Sequence, residues 1–128
     1  MTRRRKLGGA APAIRLAGGV VSDKAQIPFV RMAELEIDPA QLEGYAAAVK
    51  EEMETSVLVE PGVLAIYAVA EQGNPCKLRF FEMYSDEAAY RSHIQSAHFK
   101  KYAETTKDMI TSRKLIDTVP LQLSAKKW

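Results

Sequence analysis

From Phe29 to Ile37 the chain reads FVRMAELEI, with Phe29, Arg31, Ala33, Leu35 and Ile37 on one parity and Val30, Met32, Glu34 and Glu36 on the other. A period of two predicts a strand with one well-buried face. Asp38-Pro39-Ala40-Gln41 then supplies an N-cap, a proline at the first helical position and a capping-box partner three residues on. Leu42, Tyr45, Val49, Met53 and Val57 recur at helical spacing, which predicts an amphipathic helix over 39–57 whose apolar stripe attaches it to a sheet. Glu60-Pro61-Gly62 breaks the chain, and Val63 to Ala70 (VLAIYAVA) is apolar on both parities, predicting a strand covered on each side. The turn signal Gln72-Gly73-Asn74-Pro75 makes a hairpin with a third strand over Lys77–Tyr84. Ser85 or Asp86 caps a short helix through Ile94, and Ser96 caps another from Ala97 to Ile110. The last strand is expected over Leu115–Leu123, where Pro120 demands an edge position or a bulge.

The order β-α-β-β-α-α-β is the split βαβ plan of an α+β, ferredoxin-like fold, with a four-stranded antiparallel sheet and its second helix broken in two. Helices cover one sheet face. The other is also apolar in the second and third strands, and a chain of this size has nothing left to cover it. A second copy is the economical cover, so a homodimer formed sheet against sheet is expected, with Leu121 and Leu123 contributing.

Composition refines this picture. A chain of 128 residues that is 47% hydrophobic and 27% charged suits one domain with a single core. The net charge of +2 misleads, because Arg3, Arg4, Arg5, Lys6 and Arg15 cluster at the start; without them thirteen basic residues face sixteen acidic ones. A nucleic-acid-binding domain keeps its basic surface in the fold, so no nucleic acid partner is expected. No apolar run approaches the roughly 20 residues needed to cross a bilayer, which argues against membrane insertion. Cys76 is the only cysteine, excluding an intramolecular disulfide and any cysteine-based metal cage; it reads as a strand-edge thiol.

Residues 1–26 combine a basic start with small and apolar residues, four glycines and no helical or strand period. Thr2-Arg3-Arg4-Arg5-Lys6-Leu7 resembles a twin-arginine export signal, which implies export to the periplasm as a folded protein. The plain alternative is a flexible basic tail on a cytoplasmic protein. The folded part is therefore expected from Ile27, with residues 27–128 as a single domain.

An ordered set of residues then stands out: Glu60-Pro61-Gly62-Val63-Leu64, the hairpin, Phe81-Glu82-x-Tyr84-x-Asp86-Glu87-x-Ala89-Tyr90-x-x-His93, and His98-Phe99. From Phe29 to Leu123 the chain resembles the antibiotic biosynthesis monooxygenase (ABM) domain, the group that includes small bacterial quinol monooxygenases. The resemblance implies a dimeric α+β barrel and oxidation of a small aromatic or quinol-like compound by dioxygen without metal, flavin or haem. Haem-degrading relatives rely on an Asn, Trp and His set. Here Trp128 is terminal and Asn74 sits in a turn, so haem is not expected.

Cofactor-free oxidation of a quinol asks for an apolar pocket, a base to form the phenolate and a donor for developing oxyanion charge. His93 and His98, the only histidines, are the candidates for base and donor. Glu82 shares strand parity with Leu78, Phe80 and Tyr84 and is the candidate that orients them. Tyr67 and Tyr84 are candidates to contact the substrate oxygen, and Phe81, Phe99 and Met83 to line a ring-sized pocket. A metal held by His93, His98 and Glu82 is not expected, because the spacing lacks the HExxH separation that aims two imidazoles at one ion. Glu51, Glu52 and Glu54 read as a solvated helix face. Two other readings use the same pocket: a dimeric small-molecule binder without turnover, and an isomerase in which the histidines shuttle a proton.

Overall fold

In the computed structural model, which describes residues 27–127, the chain runs β1 (Phe29–Ile37), a 3-10 turn (Pro39–Gln41), α1 (Leu42–Val59), β2 (Val63–Glu71), β3 (Asn74–Tyr84), α2 (Glu87–Ile94), α3 (Ala97–Thr106) and β4 (Ile110–Asp117). The four strands form one antiparallel sheet in the order β2-β3-β1-β4, the ferredoxin-like arrangement. The arginine-rich segment and Trp128 lie outside the described residues. Among those residues no helix is long and apolar enough to cross a membrane.

Register decides which side chains meet. Ala33 faces Phe80, Leu35 faces Leu78 and Phe29 faces Tyr84. Those residues form the core with Ile37, Val63 and Ile66 from the sheet and Tyr45 and Val49 from α1. Tyr45 and Tyr84 are fully buried. Tyr45 also bonds Tyr102 of α3, hydroxyl to hydroxyl at 2.7 Å, joining the two long helices over the sheet. The opposite face carries one apolar row across all four strands, Ile116, Met32, Phe81 and Tyr67, each the cross-strand partner of the next. Tyr67 and Phe81 stack there with centroids 6.4 Å apart, and Tyr67 is 54% exposed.

Three boundaries differ from the sequence reading. The hairpin turn is tighter: β3 starts at Asn74, and Gly73 takes φ +87°, a conformation that favours glycine. Cys76 therefore sits near the start of an interior strand, partly buried, rather than on a sheet edge. The last helix ends at Thr106, because Ile110 already pairs with Ile37 and the Asp38 amide donates to the Met109 carbonyl at 2.9 Å. β4 accordingly runs Ile110–Asp117 and not Leu115–Leu123: β1 offers it partners only as far as Arg31, which faces Asp117. Pro120, Leu121 and Leu123 follow the strand, and Leu121 is 98% exposed.

Candidate functional site

Three helix ends converge at one edge of the core. Proline disfavours the helical region for the residue before it, so Pro61 ends α1 at Val59 and leaves Glu60 extended, at φ −106° and ψ 108°. Glu52, Ser56 and Glu60 recur every fourth residue, which stacks them along one face as α1 terminates. Asp86 caps α2 by accepting from the Ala89 amide at 2.8 Å, placing His93 in the last turn, where the helix dipole favours a cation. Ser96 caps α3 through the Phe99 amide at 3.2 Å and donates its hydroxyl to the His93 carbonyl at 2.7 Å. That serine turns the chain so that His98, in the first turn of α3, faces back toward His93; the rings lie 6.2 Å apart.

Glu60 bridges the two imidazoles. One of its oxygens, Oε2, lies 2.9 Å from His93 Nδ1 and 2.5 Å from His98 Nε2. His93 Nε2 lies 3.2 Å from Glu52 Oε2, and that oxygen accepts from the Ser56 hydroxyl at 2.8 Å. The result is a chain Ser56–Glu52–His93–Glu60–His98. His93 and Glu52 are almost wholly buried, whereas His98 keeps an exposed edge.

Charge follows from this geometry. Burial pulls the His93 pKa down, but hydrogen bonds to Glu52 and Glu60 and their attraction outweigh it, so the value is raised. Each ring nitrogen faces a carboxylate, and His93 is satisfied as a doubly donating imidazolium. Burial raises the Glu60 pKa while bonds from His93 and His98 lower it, with a net fall. Glu82 goes the other way: burial holds its pKa above the usual carboxylate range, only partly offset by the Tyr84 hydroxyl that donates to it at 2.7 Å. Burial, with Glu82 alongside, pushes the Tyr84 phenol up as well.

The sequence candidates thus divide between two faces. His93, His98, Tyr84 and Phe99 come together: the His93 ring lies 5.4 Å from that of Tyr84 and 5.2 Å from that of Phe99. Glu82 is on the same side of the sheet, where it accepts from the Tyr84 hydroxyl and bonds neither histidine. Tyr67, Phe81 and Met83 belong to the opposite, open face, because Phe81 and Met83 alternate with Phe80, Glu82 and Tyr84. Sequence reasoning missed Glu60 and placed Glu52 on a solvated face; the signal available was the four-residue repeat Glu52-Ser56-Glu60. Glu51 does lie on that solvated face, where Lys101 pairs with it at 3.0 Å. Beside His98 a cleft of about 80 Å³ opens between α1 and α3, rimmed by Glu51, Glu52, Lys101 and Tyr102. Pockets for small organic ligands run to about 300–1,000 Å³, so this cleft as it stands admits water or an ion but not an aromatic ring.

Known proteins match the chain at the level of family and fold. The family model described as antibiotic biosynthesis monooxygenase matches residues 28–105. A provisionally assigned antibiotic biosynthesis monooxygenase of Bacteroides thetaiotaomicron VPI-5482 is 49% identical, with a TM-score of 0.76 over 81% of this chain and 99% of that one. A provisionally assigned monooxygenase of Lactobacillus acidophilus NCFM is 33% identical, with a TM-score of 0.69 over 70% of this chain and 43% of that one. A protein of Nitrosomonas europaea, at 19% identity, shares the fold with a TM-score of 0.71 over 78% of this chain and 96% of its own. No curated protein matches the chain.

Proposed function

The chain belongs to the antibiotic biosynthesis monooxygenase family, and on that premise we propose that it oxidises a small electron-rich phenol or quinol with dioxygen, using His98 as the base. The observation that carries this reading is the Glu60 bridge between a buried imidazole and a partly exposed one. His93, bonded on both nitrogens, is not free to accept a proton. Its positive charge is balanced by Glu52 and Glu60 and fixes Glu60 in place beside His98. His98 keeps an exposed edge at the cleft, and Glu60 orients it, the role the sequence suggested for Glu82.

The electrons balance without a cofactor. His98 takes the phenolic proton, and the phenolate passes an electron to dioxygen. The two radicals join at a ring carbon as a peroxide, and loss of water leaves a quinone carbonyl. One oxygen atom enters the product and the other leaves as water. A ring reaches His98 only when the α1–α3 seam widens, so substrate entry involves separation of those helices.

Two further expectations attach to this reading. The apolar row Ile116–Met32–Phe81–Tyr67 supports a homodimer closed sheet against sheet, with Tyr67, Phe81 and Met83 serving that interface. The basic start of the chain supports export through a twin-arginine route. The competing reading, a binder without turnover, is favoured by the saturated His93, which cannot take up a proton. Oxygen uptake with a panel of quinols separates the two. We expect uptake above the buffer rate, falling by about 10²–10⁴ in a folded His98→Ala variant. Wild-type rates in that variant would remove His98 from the chemistry, and no uptake with stable quinol binding would favour the binder.

A further inference from the structure

We propose that Glu60, His93 and His98 form a binding site for a divalent transition-metal ion of the zinc type, with Glu52 as the group that orients His93. One ligand atom from each of the three residues lies within 4.8 Å of the other two. They come from the end of α1, the last turn of α2 and the first turn of α3, so the site would clamp three elements together. A tetrahedral zinc site has ligand bonds of about 2.0–2.1 Å, which sets neighbouring ligands about 3.3 Å apart. The Glu60 oxygen stands 2.9 Å and 2.5 Å from its two nitrogens. Changes of about 0.5–1.5 Å in the separations of the ligand atoms admit the ion.

A second, independent feature points the same way. A metal-bound histidine almost always donates its other ring N–H to a carboxylate or carbonyl, which fixes the tautomer and aims the ring. His93 has that partner: its Nε2 faces Glu52 at 3.2 Å, and Ser56 holds Glu52 in turn at 2.8 Å. With Nε2–H committed to Glu52, Nδ1 is the nitrogen presented to Glu60, and it releases its proton to solvent when the ion binds. Glu60 replaces Glu82 as the carboxylate of this set, and its histidines come from two helices, so HExxH spacing does not apply. The chain break at Ser96 brings the histidines together, and Pro61 delivers the carboxylate. Two imidazoles and one carboxylate suit Zn²⁺, Co²⁺ or Ni²⁺ rather than the oxygen-seeking Mg²⁺ or Ca²⁺. Three protein ligands leave a fourth position for water or a small anion.

Metal binding here does not depend on the oxygenase reading. Where that reading also holds, the ion inserts between Glu60 and His98 Nε2 and replaces the bond that orients the base, so zinc lowers turnover. The test uses full-length protein stripped with a chelator and titrated with ZnCl₂ by calorimetry, with Co²⁺ as a spectroscopic probe. Expected are one ion per chain and the visible absorption of low-coordinate Co²⁺. Glu60→Gln and His98→Ala should each weaken binding by at least about 100-fold, and Glu52→Gln by about 10–100-fold with the stoichiometry kept. Glu51→Gln on the cleft rim and Cys76→Ser should bind as wild type. If His98→Ala does not fold, the zinc-dependent rise in melting temperature of the wild type, absent in Glu60→Gln, gives the same answer. Failure to bind zinc at millimolar concentration, or stoichiometric binding that survives Glu60→Gln, overturns the site. Neither result bears on whether metal-free protein consumes oxygen, so the two readings fail separately.

Discussion

Replacing Gly62 by alanine sets a methyl carbon 2.5 Å from the Ala89 Cβ and 3.1 Å from the Ser85 hydroxyl oxygen. Carbon atoms pack at about 3.5–4.0 Å, so the first contact is short by about 1 Å or more. The serine can rotate away, but Ala89 cannot, because its Cβ is fixed to the backbone of the first turn of α2. Either α2 lifts off the start of β2 or the Gly62 peptide retreats and strains the bond from the Ser85 amide to the Gly62 carbonyl, now 2.8 Å. Overpacking of this kind costs about 1–3 kcal/mol. For a domain of roughly 100 residues that lowers the melting temperature by roughly 5–20 °C. Thermal denaturation of Gly62→Ala reads the effect. The Ala89→Gly change supplies the control: alone it destabilises by up to about 1 kcal/mol as a helix glycine, but combined with Gly62→Ala it should recover stability, a coupling of opposite sign. A melting temperature for Gly62→Ala within about 2 °C of wild type, or a double variant no better than the sum of its parts, refutes the reasoning. Because α2 carries His93 and Glu60 lies two residues before Gly62, the same displacement should loosen the bridge between them and depress any activity that uses it.

Glu82→Gln should leave the protein at least as stable at neutral pH, since Gln keeps an acceptor for Tyr84 and removes a carboxylate that burial opposes. The sign follows from linkage. A carboxylate whose folded pKa lies above its unfolded value contributes most below the unfolded pKa and loses that contribution as pH rises through the folded one. The advantage of the variant should therefore be greatest at neutral pH and shrink on acidification; urea titrations that show it growing toward acid contradict the assignment. On the open sheet face, Tyr67→Lys puts a charge into the apolar row and should convert a sheet-against-sheet dimer to monomer. Light scattering that finds an unchanged dimer moves the interface elsewhere.

Strand parity was legible because a period of two leaves little choice of face: the placement of Leu78, Phe80, Glu82 and Tyr84 under the helices follows from alternation and from the register with β1. The same rule explains why the proposed ring pocket dissolved. Phe81 and Met83 cannot join Tyr84 on one surface, since consecutive strand residues point to opposite faces. The last strand was misplaced for a different reason. Its local pattern fits several registers, and the one adopted is set by pairing Ile110 with Ile37, nearly the length of the domain away. Glu52 was misread because a run of acidic residues on a helix ordinarily faces water, and only its contact with His93 marks it as buried.

The bridge of carboxylates and imidazoles sits at helix ends rather than on the sheet, and the reason is local. A helix end leaves backbone groups unpaired, and here the residues that resolve those ends also set the site: Pro61 stops α1 beside Glu60, Asp86 starts α2, and Ser96 ends α2 and starts α3. Inserting or deleting one residue between the start of α2 and His93, or between the start of α3 and His98, would turn that imidazole by about 100° around its helix. The bridge from Glu52 through His93 and Glu60 to His98 is thus a consequence of helix termination. Substitutions at Pro61 and Ser96, which touch neither imidazole ring through their side chains, should perturb it as much as substitutions in the bridge itself.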